Sequence, residues 1–399
     1  MTGRSLTAAL PVRTGAAALR SPWVHVGQAA AALAAGMGIG RFVYTPILPL
    51  MHAQAGLSAT TGANLATANY VGYLLGALAG SVSPALIRRP APLRASLVVL
   101  TMSLSAMPFT GGAAVWITLR LIAGVSSALI FVTAASSLLS HLREHPTHLP
   151  GWAFGGVGGG IALSGLLVLV VRSAADWRAA WWASALLVAL LTAAAWNLRP
   201  ETPPATPARS GGVKAGGAAL RGRFAVLFTS YTLEGVGYIV AATFLAAAIE
   251  ETSPGWVGSC AWVLVGVAAV PSAALWARLG RRWSVPGLLL TALVIQAGGI
   301  VLPALVPGVT AALVAAVLFG ATFIGVSTLS LDAGARLRFP RSVALLTAGY
   351  SMGQILGPLV VAPLLRHGYH RALILAGAIV LAAAVAAAVL RVSYPRHSA

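Results

Sequence analysis

Acidic residues are scarce in this sequence: seven among 399, against 26 basic ones. Charged residues of both signs make up 8% of the chain, where a water-soluble domain carries about 25%. So few charges cannot coat a water-facing surface, which excludes a soluble globular protein. There is one cysteine, Cys260, so no disulfide closes within the chain, and the residue reads as a small packing element. Nucleotide-binding motifs are missing as well. The stretch "GGVGGG", Gly155 to Gly160, is followed by no Lys-Ser or Lys-Thr and sits in an apolar run, so it is not a phosphate loop. No HExxH and no Ser-His-Asp set occurs. His141, His145 and His148 share a proline-containing loop and read as inert. Neither a metal nor a cofactor is expected.

What the chain has in quantity is apolar length. Hydrophobic residues make up 58%, and the mean hydropathy is +0.87. A membrane-spanning helix takes about 20 apolar residues. That ruler finds twelve, at 24–52, 62–86, 93–111, 113–140, 150–171, 177–197, 224–249, 255–277, 284–305, 308–334, 341–365 and 371–392. The fold class is therefore an all-α membrane protein of twelve spans in two six-helix halves. Residues 1–22 read as a tail, 23–198 as the first bundle, 199–223 as a linker, 224–392 as the second bundle and 393–399 as a second tail. Pro, Gly, Ser and basic residues dominate that linker, "RPETPPATPARSGGVKAGGAALRGR".

The net charge of +19 does not point to nucleic acid, because the basic residues lie between spans. With both termini in the cytoplasm, 20 Arg and Lys fall on the cytoplasmic side, four on the other, and two inside spans. That asymmetry follows the positive-inside rule. The two halves also echo each other. "MGIGRFVYTPILP" from Met37 aligns with "EGVGYIVAATFLA" from Glu234, placing Gly38 and Gly40 on Gly235 and Gly237, and Arg41 on Tyr238. "GSVSPALIRR" after the second span aligns with "AALWARLGRR" after the eighth. Such correspondence indicates a parallel repeat.

Ionisable residues within spans mark function, since a charge at mid-bilayer costs at least about 2.5 kcal/mol. Arg41 lies deep in the first span. It is either a snorkelling side chain or a cavity-lining guanidinium that binds an anion or carboxylate. Glu234 is the only acid deep in a span. It is placed to pair with Arg41, to meet substrate or to carry a proton. Arg120 lies in the fourth span. Polar neutral residues fill out a candidate site: Tyr44, Asn69, Tyr73, Tyr231, Tyr238 and Gln354, with Gln28 and Gln296 as weaker members. Asn69 and Tyr73, four apart, share a helix face. Asp332, beside Arg336 and Arg338, reads as a surface ion pair or part of a gate.

Several motifs resemble the major facilitator superfamily. "ARLGRR", with Arg278, Arg281 and Arg282, resembles its loop motif with Ala277 in place of the usual aspartate, and Arg88 and Arg89 end the first-half copy. "RLIAGVSSA" resembles the fourth-helix motif through Arg120, Gly124 and Ala128. "DWRAAWW", "GWAFGGVGGGIALSG" and "GQILGPL" resemble further elements of the superfamily. Within it, "GIGRFVYTPILPLM", "ANYVGYLLGAL", "LEGVGYIVAATFL" and "GQILGPL" resemble the YbfB/YjiJ family of bacterial transporters.

The resemblance implies a multi-pass protein of the bacterial inner membrane, not an enzyme, with Arg120 at a position implicated in proton coupling in relatives; a structural role for Arg120, bonding helix carbonyls or an acid, is the equal alternative. The expected function is secondary active transport of a small molecule by alternating access. A small organic anion is the expected substrate and a proton the expected coupling ion. The expected partners are that solute and the bilayer, without nucleic acid, and a monomer is expected. Efflux of amphipathic drugs or sugars is the alternative. A membrane-embedded enzyme is a remote one, since only Glu234 is available at depth.

Overall fold

The computed structural model describes residues 22–109, 112–141, 149–199, 217–337 and 339–393. The tail 1–21, the linker core 200–216, His145, His148 and the tail 394–399 lie outside the described residues. Twelve helices are long and apolar enough to cross a membrane: α1 Pro22–Ala55, α2 Ala59–Val82, α3 Pro90–Phe109, α4 Ala113–Leu138, α5 Pro150–Val171, α6 Trp177–Ala195, α7 Ala218–Glu250, α8 Gly255–Leu279, α9 Val285–Leu305, α10 Val309–Arg336, α11 Ser342–Val361 and α12 Tyr369–Ser393. No strand occurs among the described residues.

The repeat is visible in the packing. In the first half α1 packs on α5, α2 on α4, α3 on α4 and on α6; in the second half α7 packs on α11, α8 on α10, α9 on α10 and on α12. The halves meet along α5 and α8, α2 and α11, and α1 and α7. The most apolar windows of α1 and α7 are 89% buried, against 39–50% in the others. These two helices therefore run through the centre, and the rest present one face to lipid.

Close approach explains the glycine-rich α5. A Cβ on Gly160 would sit 2.8 Å from the Gly38 Cα of α1, and one on Gly158 2.6 Å from the Val270 backbone nitrogen of α8. Backbone meets backbone on both faces, the packing that small residues permit between apolar helices.

Three boundaries differ from the hydropathy reading. The seventh helix starts at Ala218, so Arg221 and Arg223 belong to its first turns rather than to the linker. The second helix stops at Val82. Ser83, which precedes Pro84, is extended (φ −114°, ψ 94°), and Pro84 starts a separate short helix that ends at Arg88. A residue before proline is pushed out of the helical region. The eleventh helix ends at Val361, and a tight turn follows at Leu364–His367.

Candidate functional site

The first helix is broken where Arg41 emerges. Residues Ala34–Ile39 form a π-helical turn, and the Gly40 N–H donates to Ala35 O at 2.8 Å. Beyond it, Pro46 has no N–H to give Phe42 O. The Thr45 N–H turns to Phe42 O instead, at 3.2 Å. Arg41 O thereby loses its usual helical donor. Arg120 of α4 supplies the replacement: its Nη2 donates to Arg41 O at 3.1 Å and its Nη1 to Gly40 O at 3.2 Å. The Arg120 guanidinium lies 5.2 Å from the Tyr44 ring and 5.9 Å from the Trp181 ring. Its own carbonyl accepts from Asn69 Nδ2 at 3.0 Å. Tyr44 donates to Gly62 O at 3.0 Å. Arg120, Asn69 and Tyr44 thus stabilise the break in α1.

That break carries the Arg41 side chain to the junction of the two halves. It is 3% exposed, so it does not snorkel. Its guanidinium carbon lies 4.4 Å from the Tyr73 ring centre, 5.0 Å from Tyr70 and 5.3 Å from Phe42. Nη2 donates to Gln354 Oε1 of α11, in the other half, and Nε has no partner. No acid pairs with it among the described residues.

Glu234 is fully buried on α7, and neither carboxyl oxygen has a hydrogen-bond partner. The expected pairing with Arg41 is therefore not made in this conformation. Aromatic rings lie in between. Phe42 meets Phe323 edge-on at 5.9 Å, Phe323 stacks on Tyr238 at 5.2 Å, Tyr238 on Tyr350 at 5.7 Å, and Tyr350 on Tyr231 at 4.4 Å. Tyr231 and Tyr238 flank Glu234 on the same helix.

Further bonds join the halves. Tyr70 Oη and Thr243 Oγ1 are 2.7 Å apart, and Thr45 Oγ1 donates to Ala242 O. On the face opposite the termini, Arg172 of α5 pairs with Glu250 of α7 at 2.8 Å. It also donates to Ser259 Oγ at 3.1 Å and to Gly255 O. This clasp joins the two halves there. On the face of the termini lies a cavity of about 960 Å³ lined by residues of α5, α8 and α10, among them Arg278, Arg281 and Asp332. Asp332 accepts from Arg336 Nε at 2.9 Å with both side chains about half exposed. Arg88, Arg89 and Arg282 are exposed and do not line that cavity. His141 stacks on His25 at 4.1 Å.

The structure thus brings together Arg41, Tyr73 and Gln354 in one place and Glu234, Tyr231 and Tyr238 in another. Sequence reasoning missed Phe42, Tyr70, Thr243, Tyr350 and the Arg172–Glu250 clasp. Tyr70 was findable, three residues before Tyr73, and Tyr350 lies four residues before Gln354 on the same face.

Comparison with known proteins places these observations. Residues 33–392 match the family model described as uncharacterised MFS-type transporter YbfB, where MFS is the major facilitator superfamily. No curated protein matches by sequence. Among solved structures, the nucleoside transporter NupG is similar at a TM-score of 0.69 and 13% identity, and a point mutant of NupG at 0.72 and 13%. Each alignment covers 92% of this chain and 99% of the other. At that identity the likeness is one of fold.

Proposed function

The chain belongs to the MFS transporter family described by YbfB, and on that premise we propose that it is a secondary active transporter of a small organic anion, driven by protons. The observation that carries this reading is Arg41, a buried guanidinium between the halves with rings and a neutral amide around it and no acid. A guanidinium forks onto a carboxylate through two parallel hydrogen bonds. Gln354 offers it a single carbonyl, a partner that a carboxylate outcompetes. The rings of Tyr73, Tyr70 and Phe42 hold the cation when no solute is bound. Glu234 is the proton carrier in this reading, since it is the one acid at that depth. Alternating access is a rocking of the halves about the α5–α8 contact, with the Arg172–Glu250 clasp made in the far-closed form. The excess of basic residues on the side of the termini favours a bacterial inner membrane with both termini cytoplasmic. A monomer suffices, because each chain carries both halves of the site.

A second reading, a neutral planar solute such as a nucleoside, is favoured by the stacked rings of Tyr231, Tyr350 and Tyr238. Thermal stability of the purified protein separates the two. A ligand at 100 times its Kd stabilises by about 2.7 kcal/mol. Carboxylates are expected to raise Tm in the wild type and not in Arg41→Ala. Stabilisation by nucleosides in both proteins, with none by carboxylates, defeats the anion reading.

A further inference from the structure

Beside Arg41 the contact between the halves is aromatic. Phe42 of α1 meets two rings of the second half: Phe323 of α10 at 5.9 Å and 86°, and Trp262 of α8 at 6.4 Å and 61°. Both are steep, edge-type pairings, a geometry that the ring quadrupole favours. All three rings are buried. Phe323 is held in its turn by near-parallel stacking on Tyr238 at 5.2 Å and on Phe319 at 6.3 Å. The Arg41 guanidinium carbon lies 5.3 Å from the Phe42 ring centre. One side chain, Phe42, thus touches both the cation and the ring pair of the opposite half.

Two buried donors in this group are unpartnered: Arg41 Nε and the Trp262 indole N–H. A buried Trp N–H ordinarily finds an acceptor. In this protein Trp116 Nε1 donates to Met107 O at 3.0 Å and Trp276 Nε1 to Ala321 O at 2.8 Å. Orphaned donors are costly, and a solute that brings acceptors removes that cost. Arg41 shows where the charged acceptor fits. Nε and Nη2 form the side-on edge of a guanidinium, one of the edges that fork onto a carboxylate. Gln354 Oε1 holds Nη2, and nothing holds Nε. A carboxylate in place of that amide engages both.

From these contacts we infer that the solute is a small aromatic carboxylate. Its carboxylate takes the Nε–Nη2 edge of Arg41. Its ring lodges between Phe42 of the first half and Phe323 and Trp262 of the second, and an oxygen on that ring accepts from Trp262 Nε1. This rests on the anion reading above and narrows it. The lining selects the ring, because a saturated ring has no quadrupole to pair with three aromatic side chains. The short spacing between the guanidinium and the Phe42 ring favours a carboxylate joined directly to the solute's ring. Such a solute touches both halves at once, and Trp262 is the specificity-determining residue that α8 contributes.

Thermal shifts of the purified full-length protein, titrated to give Kd, test this. The probes are benzoate, cyclohexanecarboxylate, the three monohydroxybenzoates and uridine. Benzoate should bind at least about tenfold more tightly than cyclohexanecarboxylate, the reverse of the order that partition into lipid gives. One monohydroxybenzoate should bind at least about tenfold more tightly than benzoate. That margin should disappear in Trp262→Phe, which keeps a ring and loses the N–H, and Arg41→Ala should bind none of the carboxylates. Equal binding of benzoate and cyclohexanecarboxylate overturns the aromatic class and leaves the anion reading standing. That comparison uses the wild type alone, so it holds whether or not the variants fold. A hydroxyl margin that is absent, or that survives in Trp262→Phe, overturns the role of Trp262. Binding of no carboxylate, with or without binding of uridine, overturns the inference and the anion reading together.

Discussion

The two buried charged centres are provisioned in opposite ways. Around Arg41 and Arg120 there are two backbone carbonyls, the Gln354 amide and five aromatic rings, though the Nε of each guanidinium has no partner. Around Glu234 no hydrogen bond is made at all. The cations sit where α1 is broken, so free carbonyls are at hand. The acid sits in an unbroken stretch of α7, whose backbone groups bond one another and offer it nothing. A break in a helix frees carbonyls that accept from a cation, whereas the interior of a continuous helix has no free N–H to donate to a carboxylate. The first centre can keep a permanent charge, and the second is suited to a charge that comes and goes.

The largest effect is expected from removing the provision itself. Arg120→Ala frees the Gly40 and Arg41 carbonyls and opens a cavity under Tyr44 and Trp181. A loss of about 3–5 kcal/mol is expected, visible as low yield of folded protein or a strongly lowered Tm. A yield and Tm like the wild type would show that the break in α1 needs no outside donor. Next comes Arg41→Lys, which keeps the charge and loses the planar fork. Solute flux should fall at least about tenfold, the effect of about 1.4 kcal/mol, with little change in Tm; undiminished flux would reduce Arg41 to a point charge. Glu234→Gln sharpens the contrast from the other side. Uptake driven by a pH gradient should vanish while exchange of solute for solute persists, because Gln mimics the neutral acid but holds no transferable proton. A pH dependence equal to the wild type's ends the assignment of Glu234. Smallest is Asp332→Asn, which removes a half-exposed pair with Arg336 worth at most about 0.5 kcal/mol. No resolvable Tm shift is expected, and a large one would make that pair a closure element.

Much of this was legible in the amino acids alone. Twelve spans follow from length and apolarity, and Arg41, Glu234 and Arg120 stand out as the ionisable groups at depth. The π-turn was half legible. Gly36, Gly38, Gly40 and Pro46 mark an irregular helix, but the identity of the donor that replaces the lost one depends on how α4 packs. The facing of neutral residues was not legible. Gln296 and Gln28 read alike on the page; complete burial distinguishes the first. Hydropathy placed the start of α7 late because Arg221 and Arg223 lower its average.

The uncompensated guanidiniums at the centre have an electrical consequence. If the halves rock as proposed, a fixed charge changes its access from one bath to the other, and the voltage across the membrane acts on that step. One elementary charge moved through the full field is worth about 2.3 kcal/mol per 100 mV. In the proposed reading a bound monovalent anion would cancel one charge of the pair, and a proton on Glu234 would restore one. The empty, half-loaded and fully loaded forms of such a carrier would thus feel the cell's voltage to different extents.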